Sequence, residues 1–218
     1  MGLYDKYKIK VLNCAQWLSD NGYFGCRLSS GGNVSFKIKD EDFFAITPSN
    51  KTYYNMTMDD ICVVDRTLKI VEGILPPSIE IAMHAAVYDR RSEISGVIHT
   101  HQVFASIFSV IGQPIPALFD EVALAIGEIT DIVPYALSGT EELAHNVSSK
   151  LDNQCHSYLL QNHGALVLGP DLDIALKNTE LLEKLAKIYY YALTTGKNIT
   201  FPPQSSINHF KQLRTLQT

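Results

Sequence analysis

Gly96-Val-Ile-His-Thr-His-Gln102 decides the reading of this chain. Val97 and Ile98 are β-branched and favour an extended backbone. Side chains two apart on a strand share a face, so His99 and His101 are predicted to stand side by side. Two imidazoles so placed can share one metal ion. They can also be a structural pair, one capped by a backbone carbonyl and the other exposed. A second apolar run, Tyr158-Leu-Leu-Gln-Asn-His-Gly-Ala-Leu-Val-Leu-Gly169, carries a third histidine, His163. Upstream, Pro76-Pro-Ser-Ile-Glu80 brings a carboxylate to the predicted start of a helix. Three histidines and a glutamate form the ligand set of a catalytic divalent-metal site, best matched to zinc.

Outward from this strand the pattern alternates between helices and hairpins. A helix is predicted over residues 3–21, with Tyr4, Tyr7, Val11, Cys14, Ala15 and Leu18 on one side and Asn21-Gly22 ending it. Ser29-Ser-Gly-Gly-Asn33 is a Gly-rich turn. Val34–Ile38 and Phe43–Thr47 read as a hairpin with Asp40-Glu-Asp42 at its tip, and 61–65 with 68–70 as another. Ser78 is predicted to cap a helix to about Arg90, with Ile79, Met83, Ala86 and Val87 as its apolar stripe. Helices follow over 103–111, 121–126, 140–151 and 172–195, with strands over 96–101, 132–134 and 158–168. The tail from about residue 200 has no clear pattern. No repeat or linker interrupts the chain. The expectation is one α/β domain spanning 1–218, with a central, largely antiparallel sheet flanked by helices.

Composition narrows the function. The chain has 218 residues, 46% hydrophobic and 19% charged, as expected of a globular protein. A net charge of −5 argues against a partner bound by phosphate neutralisation, such as a nucleic acid. No apolar stretch is long enough to span a bilayer, and the N-terminus has no secretory core. Cys14, Cys26, Cys62 and Cys155 form no Cys-x-x-Cys pair; buried, reduced thiols and a cytoplasmic setting are expected.

The Gly-rich turn exposes successive N–H groups, a geometry that cradles anions. Ser49-Asn50 offers a second polar turn and Ser78 a third polar element. With a metal site, these predict a phosphorylated, oxygen-rich small substrate. Glu80, beside a Lewis acid, could both ligate and move a proton α to a polarised carbonyl, or could simply favour a helix start. His84, one helical turn on, is predicted to support it. His145, His156 and His209 read as surface residues.

Gly32-Asn33-Val-Ser35, Ile46-Thr-Pro-Ser49, Pro77-Ser-Ile-Glu80, Val97-Ile-His-Thr-His101, Ile115-Pro-Ala117, Pro134-Tyr-Ala136, Gly139-Thr-Glu-Glu-Leu143 and Leu160-Gln-Asn-His-Gly164 occur in an order and spacing that resembles the class II aldolase/adducin family. The resemblance runs through nearly the whole chain. It implies zinc held by Glu80, His99, His101 and His163, with Glu80 as acid/base. It implies a phosphate pocket from Gly32, Asn33, Ser49, Asn50 and Ser78. It further implies a cyclic homotetramer with active sites at subunit interfaces. The activity implied is cleavage of a ketose 1-phosphate to dihydroxyacetone phosphate and a short aldehyde, lactaldehyde first.

Three positions depart from the pattern, and the C-terminal tail lacks a counterpart of the aldolases' tail tyrosine. Asn50 stands where a glycine is common, Ile79 where a second serine is common, and Phe119-Asp120-Glu121 where the aldolases place a proton-donating tyrosine. Asp120 or Glu121 is therefore the expected second proton handler. Glu121 also matches a catalytic glutamate of related sugar-phosphate dehydratases. A dehydratase, an epimerase working by retro-aldol cleavage, and a metal-free adducin-like structural module are the alternatives.

Overall fold

The computed structural model describes residues 2–26, 28, 30–39 and 41–215. Ser29 of the Gly-rich turn and Asp40 of the hairpin tip lie outside the described residues. Among the described residues nine strands form one sheet: β1 (Asn33–Lys37), β2 (Phe43–Ile46), β3 (Cys62–Asp65), β4 (Ile70–Glu72), β5 (Gly96–Thr100), β6 (Ile115–Pro116), β7 (Ile129–Val133), β8 (Ser157–Leu160) and β9 (Gly164–Gly169). Their spatial order is β4-β3-β2-β1-β5-β9-β8-β7-β6. Every pairing is antiparallel except β7 with β8. The expected mixed, largely antiparallel sheet is the one found.

Helices cover both faces. α2 (Ile81–Arg90) and α5 (Glu141–Ser148) pack on one, where Met83, Val87, Leu143 and Val147 meet Val97, Leu166 and Leu168. α1 (Asp5–Asp20) covers the other face at one end of the sheet, its Val11, Ala15 and Leu18 against Val34, Phe36 and Ile98. α3 (Val103–Ile111), α4 (Asp120–Ala125), α6 (Leu172–Thr194) and α7 (Gln204–Thr215) build the remainder around Phe108, Leu159, Val167 and Leu185. Period-two alternation sorts the side chains: Val97 enters one core and Ile98 the other. Removing a buried ring such as Phe108 would cost roughly 3–5 kcal/mol.

Several expectations need correction. Ser78 is not a helix cap. Its carbonyl accepts from Ile81 N at 3.1 Å in a tight turn, Glu80 takes the N-cap position, and the helix begins at Ile81. The buried face of α2 is Met83, His84, Val87 and Tyr88; Ile79 is exposed. The tail is ordered as α7, which docks on α4 through Ile207 and the Arg214–Ala123 carbonyl bond of 2.8 Å. Cys26 is exposed, whereas Cys14, Cys62 and Cys155 are buried. His156 is buried just before β8, its N–H bonded to the Ile126 carbonyl at 2.7 Å and its own carbonyl accepting from Leu168 N at 2.8 Å. His145 and His209 are exposed, as expected.

Candidate metal and active site

β1 and β5 run antiparallel with Asn33 opposite His99, and β9 pairs on the other side of β5. The ends of these three strands converge with the turn before α2. His99 lies on β5, His101 just beyond it, and His163 on the turn from β8 to β9. Their Nε2 atoms are drawn together: His99 to His101 at 3.1 Å and His99 to His163 at 3.2 Å. Glu80 closes the group, with Oε2 3.2 Å from His99 Nε2 and Oε1 3.5 Å from His163 Nε2.

Gly164 makes the convergence possible. A Cβ there would strike the Thr100 carbonyl and stand 2.8 Å from the His101 ring. Gly32 does the same for the Gly-rich turn. Its φ is +71°, and a Cβ would lie 2.6 Å from the His99 carbonyl and against the Phe24 ring. Tyr53 stacks on Phe24 and donates its hydroxyl to the Gly32 carbonyl at 2.6 Å, clamping that turn.

The hydrogen bonds set the protonation of the site. His99 Nδ1 donates to the Ala165 carbonyl at 2.9 Å, which leaves its Nε2 bare. Burial holds His99 and His101 below the ordinary imidazole pKa and takes His163 down to about 4, with the neighbouring imidazoles adding to the effect on His101 and His163. Three neutral imidazoles with clustered Nε2 atoms form a donor set for a cation. Burial disfavours the Glu80 carboxylate, but His99 and His163 when protonated, with the Asn33 amide, outweigh it and hold its pKa below the usual value. Glu80 Oε1 is buried without a hydrogen-bond partner, an arrangement costing about 1–3 kcal/mol or more unless a cation meets it. Tetrahedral zinc with Zn–N near 2.0–2.1 Å would need ligand atoms roughly 3.3 Å apart; the two spacings from His99 are close to this, and the ligand atoms of all three histidines lie within 4.8 Å of one another. The residues present fit a divalent metal.

A buried hydrogen-bond chain holds Glu80 from behind. Asn33 Nδ2 donates to Glu80 Oε2 at 2.8 Å. His84 Nε2 donates to Asn33 Oδ1 at 2.5 Å, and its Nδ1 accepts from the Ser35 hydroxyl at 2.6 Å. Ser35 in turn meets Tyr88 at 2.6 Å. Burial keeps His84 neutral, its pKa lowered to about 3. The i+4 spacing from Glu80 indicated His84; Asn33 and Ser35 as its link become visible only through the β1–α2 packing.

A cleft of about 220 Å³ opens over these groups. It is lined by Glu80, His101 and His163 together with Gly32, Asn33, Ser49, Asn50 and Ser78. The turn at Ser49 is tied to the Pro77 segment by Ser49 N to the Pro76 carbonyl at 2.9 Å and Ser78 N to the Thr47 carbonyl at 3.0 Å. Asn50 has φ of +55°, the left-handed conformation that asparagine tolerates in place of glycine. Ser138, whose Oγ lies 3.4 Å from His163 Nε2, is a cleft residue absent from the sequence-based set. The Gly139-Thr140 turn beside it was its available signal.

Asp120 and Glu121 are not part of this cleft. They open α4 and are exposed, and Glu121 pairs with Lys184 at 2.7 Å. Within one chain the structure does not bring them to the histidines.

This topology and clustered site define a mixed α/β scaffold with a candidate divalent-metal centre at its strand ends. Residues 10–190 match the family described as Class II Aldolase and Adducin N-terminal domain, and the chain belongs to that family. It is 34% identical over 163 residues to the L-fuculose phosphate aldolase of Methanococcus maripaludis, covering 75% of this chain and 86% of that one. It is 29% identical over 188 residues to the 5-deoxy-D-ribulose 1-phosphate aldolase of Bacillus thuringiensis, covering 86% and 87%. A solved L-fuculose 1-phosphate aldolase superposes with a TM-score of 0.87 at 28% identity, covering 98% of this chain and 97% of that one. The protein is a class II aldolase-family enzyme, consistent with a lyase.

Proposed function

We propose that the protein is a zinc-dependent aldolase that reversibly cleaves a ketose 1-phosphate, such as L-fuculose 1-phosphate, to dihydroxyacetone phosphate and lactaldehyde. The carrying observation is the meeting of the Nε2 atoms of His99, His101 and His163 with the unpartnered Glu80 oxygen. His99, His101, His163 and Glu80 would hold the ion. When bound, it supplies Lewis-acid polarisation of the substrate's carbonyl and hydroxyl oxygens.

The chain's own residues supply the rest. Gly32, Asn33, Ser49, Asn50 and Ser78 receive the phosphate through backbone N–H groups and hydroxyls. Glu80 removes the donor-side C–H proton of dihydroxyacetone phosphate in synthesis and returns it in cleavage. Asn33, held by His84, keeps the carboxylate turned toward that carbon. In cleavage the hydroxyl proton of the acceptor half leaves as the carbon–carbon bond breaks, its electron pair moving to the donor half. Asp120 or Glu121 of a second copy handles that hydroxyl proton, in a homotetramer with sites at subunit interfaces. Reduced thiols fit a cytoplasmic setting, and no helix among the described residues is long and apolar enough to cross a membrane.

The 5-deoxy-D-ribulose 1-phosphate aldolase relative favours a second substrate, a five-carbon deoxyketose phosphate whose cleavage releases acetaldehyde. The test is metal analysis followed by aldol synthesis from dihydroxyacetone phosphate with L-lactaldehyde or acetaldehyde. About one zinc per chain and preferred turnover of lactaldehyde support the proposal. Preferred turnover of acetaldehyde moves the substrate to the shorter sugar. Turnover with neither, or activity unchanged after complete metal removal, contradicts it.

A further inference from the structure

A second cavity, of about 330 Å³, lies between α4, α6 and α7, lined by Leu124, Ile174 and Leu181 together with His156, Lys177 and Arg214. It sits at the start of β8, whereas His163 follows that strand's far end. Arg214 is only 5% exposed. Its Nη1 donates to the Ala123 carbonyl, but its Nη2 is buried with no hydrogen-bond partner. An arginine cannot shed its charge, so an unpaired guanidinium nitrogen in an apolar wall is costly. Glu128, the carboxylate acting on Arg214 from nearby, is held by Lys211 at 3.1 Å. His156 is equally buried and donates Nδ1–H to the Ala125 carbonyl at 3.0 Å. Nε2 is then an acceptor, so Arg214 is the group left to meet an anion. Burial, then Arg91 and Arg214, holds its pKa down to about 4 against the Ala125 bond and Glu93.

We propose that this cavity binds a small organic monocarboxylate: its carboxylate meets the Arg214 guanidinium, and its apolar body lies along Leu124, Ile174 and Leu181. Lys177, exposed at the mouth, draws the anion in. One guanidinium in a mainly apolar wall suits a single charge on a carbon skeleton better than a phosphate dianion. The volume lies at the small end of ligand pockets, which limits the occupant to a few carbons or one ring.

The test titrates the full chain with hexanoate, benzoate, hexan-1-ol and inorganic phosphate. The readout is the ring-proton NMR resonance of His156, assigned with His156→Gln. The expected result is a saturable shift with hexanoate or benzoate, with binding about tenfold weaker in Arg214→Gln and about tenfold weaker for hexan-1-ol and phosphate. No saturable shift with either carboxylate, equal binding of hexan-1-ol, or unchanged binding in Arg214→Gln would overturn the proposal. Should Arg214→Gln fail to fold, Ile174→Trp fills the cavity from α6. Loss of the shift in that folded variant supports the site, and its retention overturns it.

Discussion

Two carboxylates, Glu80 and Glu121, each stand at a helix start, yet the molecule treats them in opposite ways. Glu80 is 5% exposed, fixed by Asn33 and surrounded by three imidazoles, with one oxygen left without a hydrogen bond. Glu121 is half exposed and neutralised by Lys184 on the surface of α4. A helix start explains Glu121 by itself, since a negative charge there is favoured by the dipole. It does not explain Glu80, whose burial works against its charge. The difference teaches that residue type and position propose a catalytic acid, while its company decides what the chain has invested in it.

The largest test of this contrast is Glu80→Gln. The amide keeps the shape and removes proton transfer, so kcat should fall by about 10²–10⁴. Metal content measured alongside separates lost acid–base chemistry from lost ligation. A variant with full metal and near-normal kcat would erase the distinction between the two carboxylates.

Acidification probes the α4 region through His156, which bonds the Ala125 carbonyl of that helix. Its pKa is near 6.5 in the open chain and about 4 in the fold. Between those values the unfolded chain takes up a proton that the fold excludes. The contribution is intact above about pH 6.5 and lost as pH falls toward 4, by up to roughly 3 kcal/mol. His84 adds to the loss in the same direction. Denaturant unfolding at several pH values should show this slope, flattened in His156→Gln; an identical slope in the variant would exclude His156 as its source.

Cutting the chain behind Glu80 gives a smaller effect. His84→Gln should lower activity or metal affinity by about 10–100-fold, the usual scale for groups that orient a metal site. A role in turning Asn33 toward Glu80 predicts that kcat falls more than KM rises; a purely structural role predicts lower thermal stability with kcat preserved in the folded fraction. The smallest effect is Glu121→Gln, about tenfold in kcat if Asp120 shares the task, with little change in stability because the Lys184 pair is exposed. No change in the double variant Asp120→Asn/Glu121→Gln would remove α4 from the mechanism.

Much of this was legible in the chain because local pattern and tertiary demand agreed. β5 alternates Val97 and Ile98 between two cores and carries His99 and His101 at its end. α3, α6 and the β8–β9 pair follow their apolar periodicity. The clustering of His99, His101 and His163 with Glu80 followed from strand ends returning to one place. Where tertiary packing overrode local signals, the reading failed. α7 offers few apolar residues, and Ile207 becomes meaningful only once α4 is there to receive it. His156 sits among polar neighbours in sequence, but pairing at the start of β8 buries it. Ser78 resembles a cap, yet the turn to Glu80 delays the helix and turns the serine toward the cleft. Asn33, Ser35 and His84 lie on elements far apart in the chain, so their bond network could not be read from spacing.

The most direct test of the central claim is exchange of the hydroxymethyl protons of dihydroxyacetone phosphate in D2O, followed by NMR with zinc-loaded protein. It isolates the proton step at Glu80 and needs no choice of aldehyde. The account predicts stereospecific exchange of one proton in the wild type and its loss in Glu80→Gln at equal zinc content. Absence of exchange in the zinc-loaded wild type, or exchange undiminished in Glu80→Gln, would contradict it.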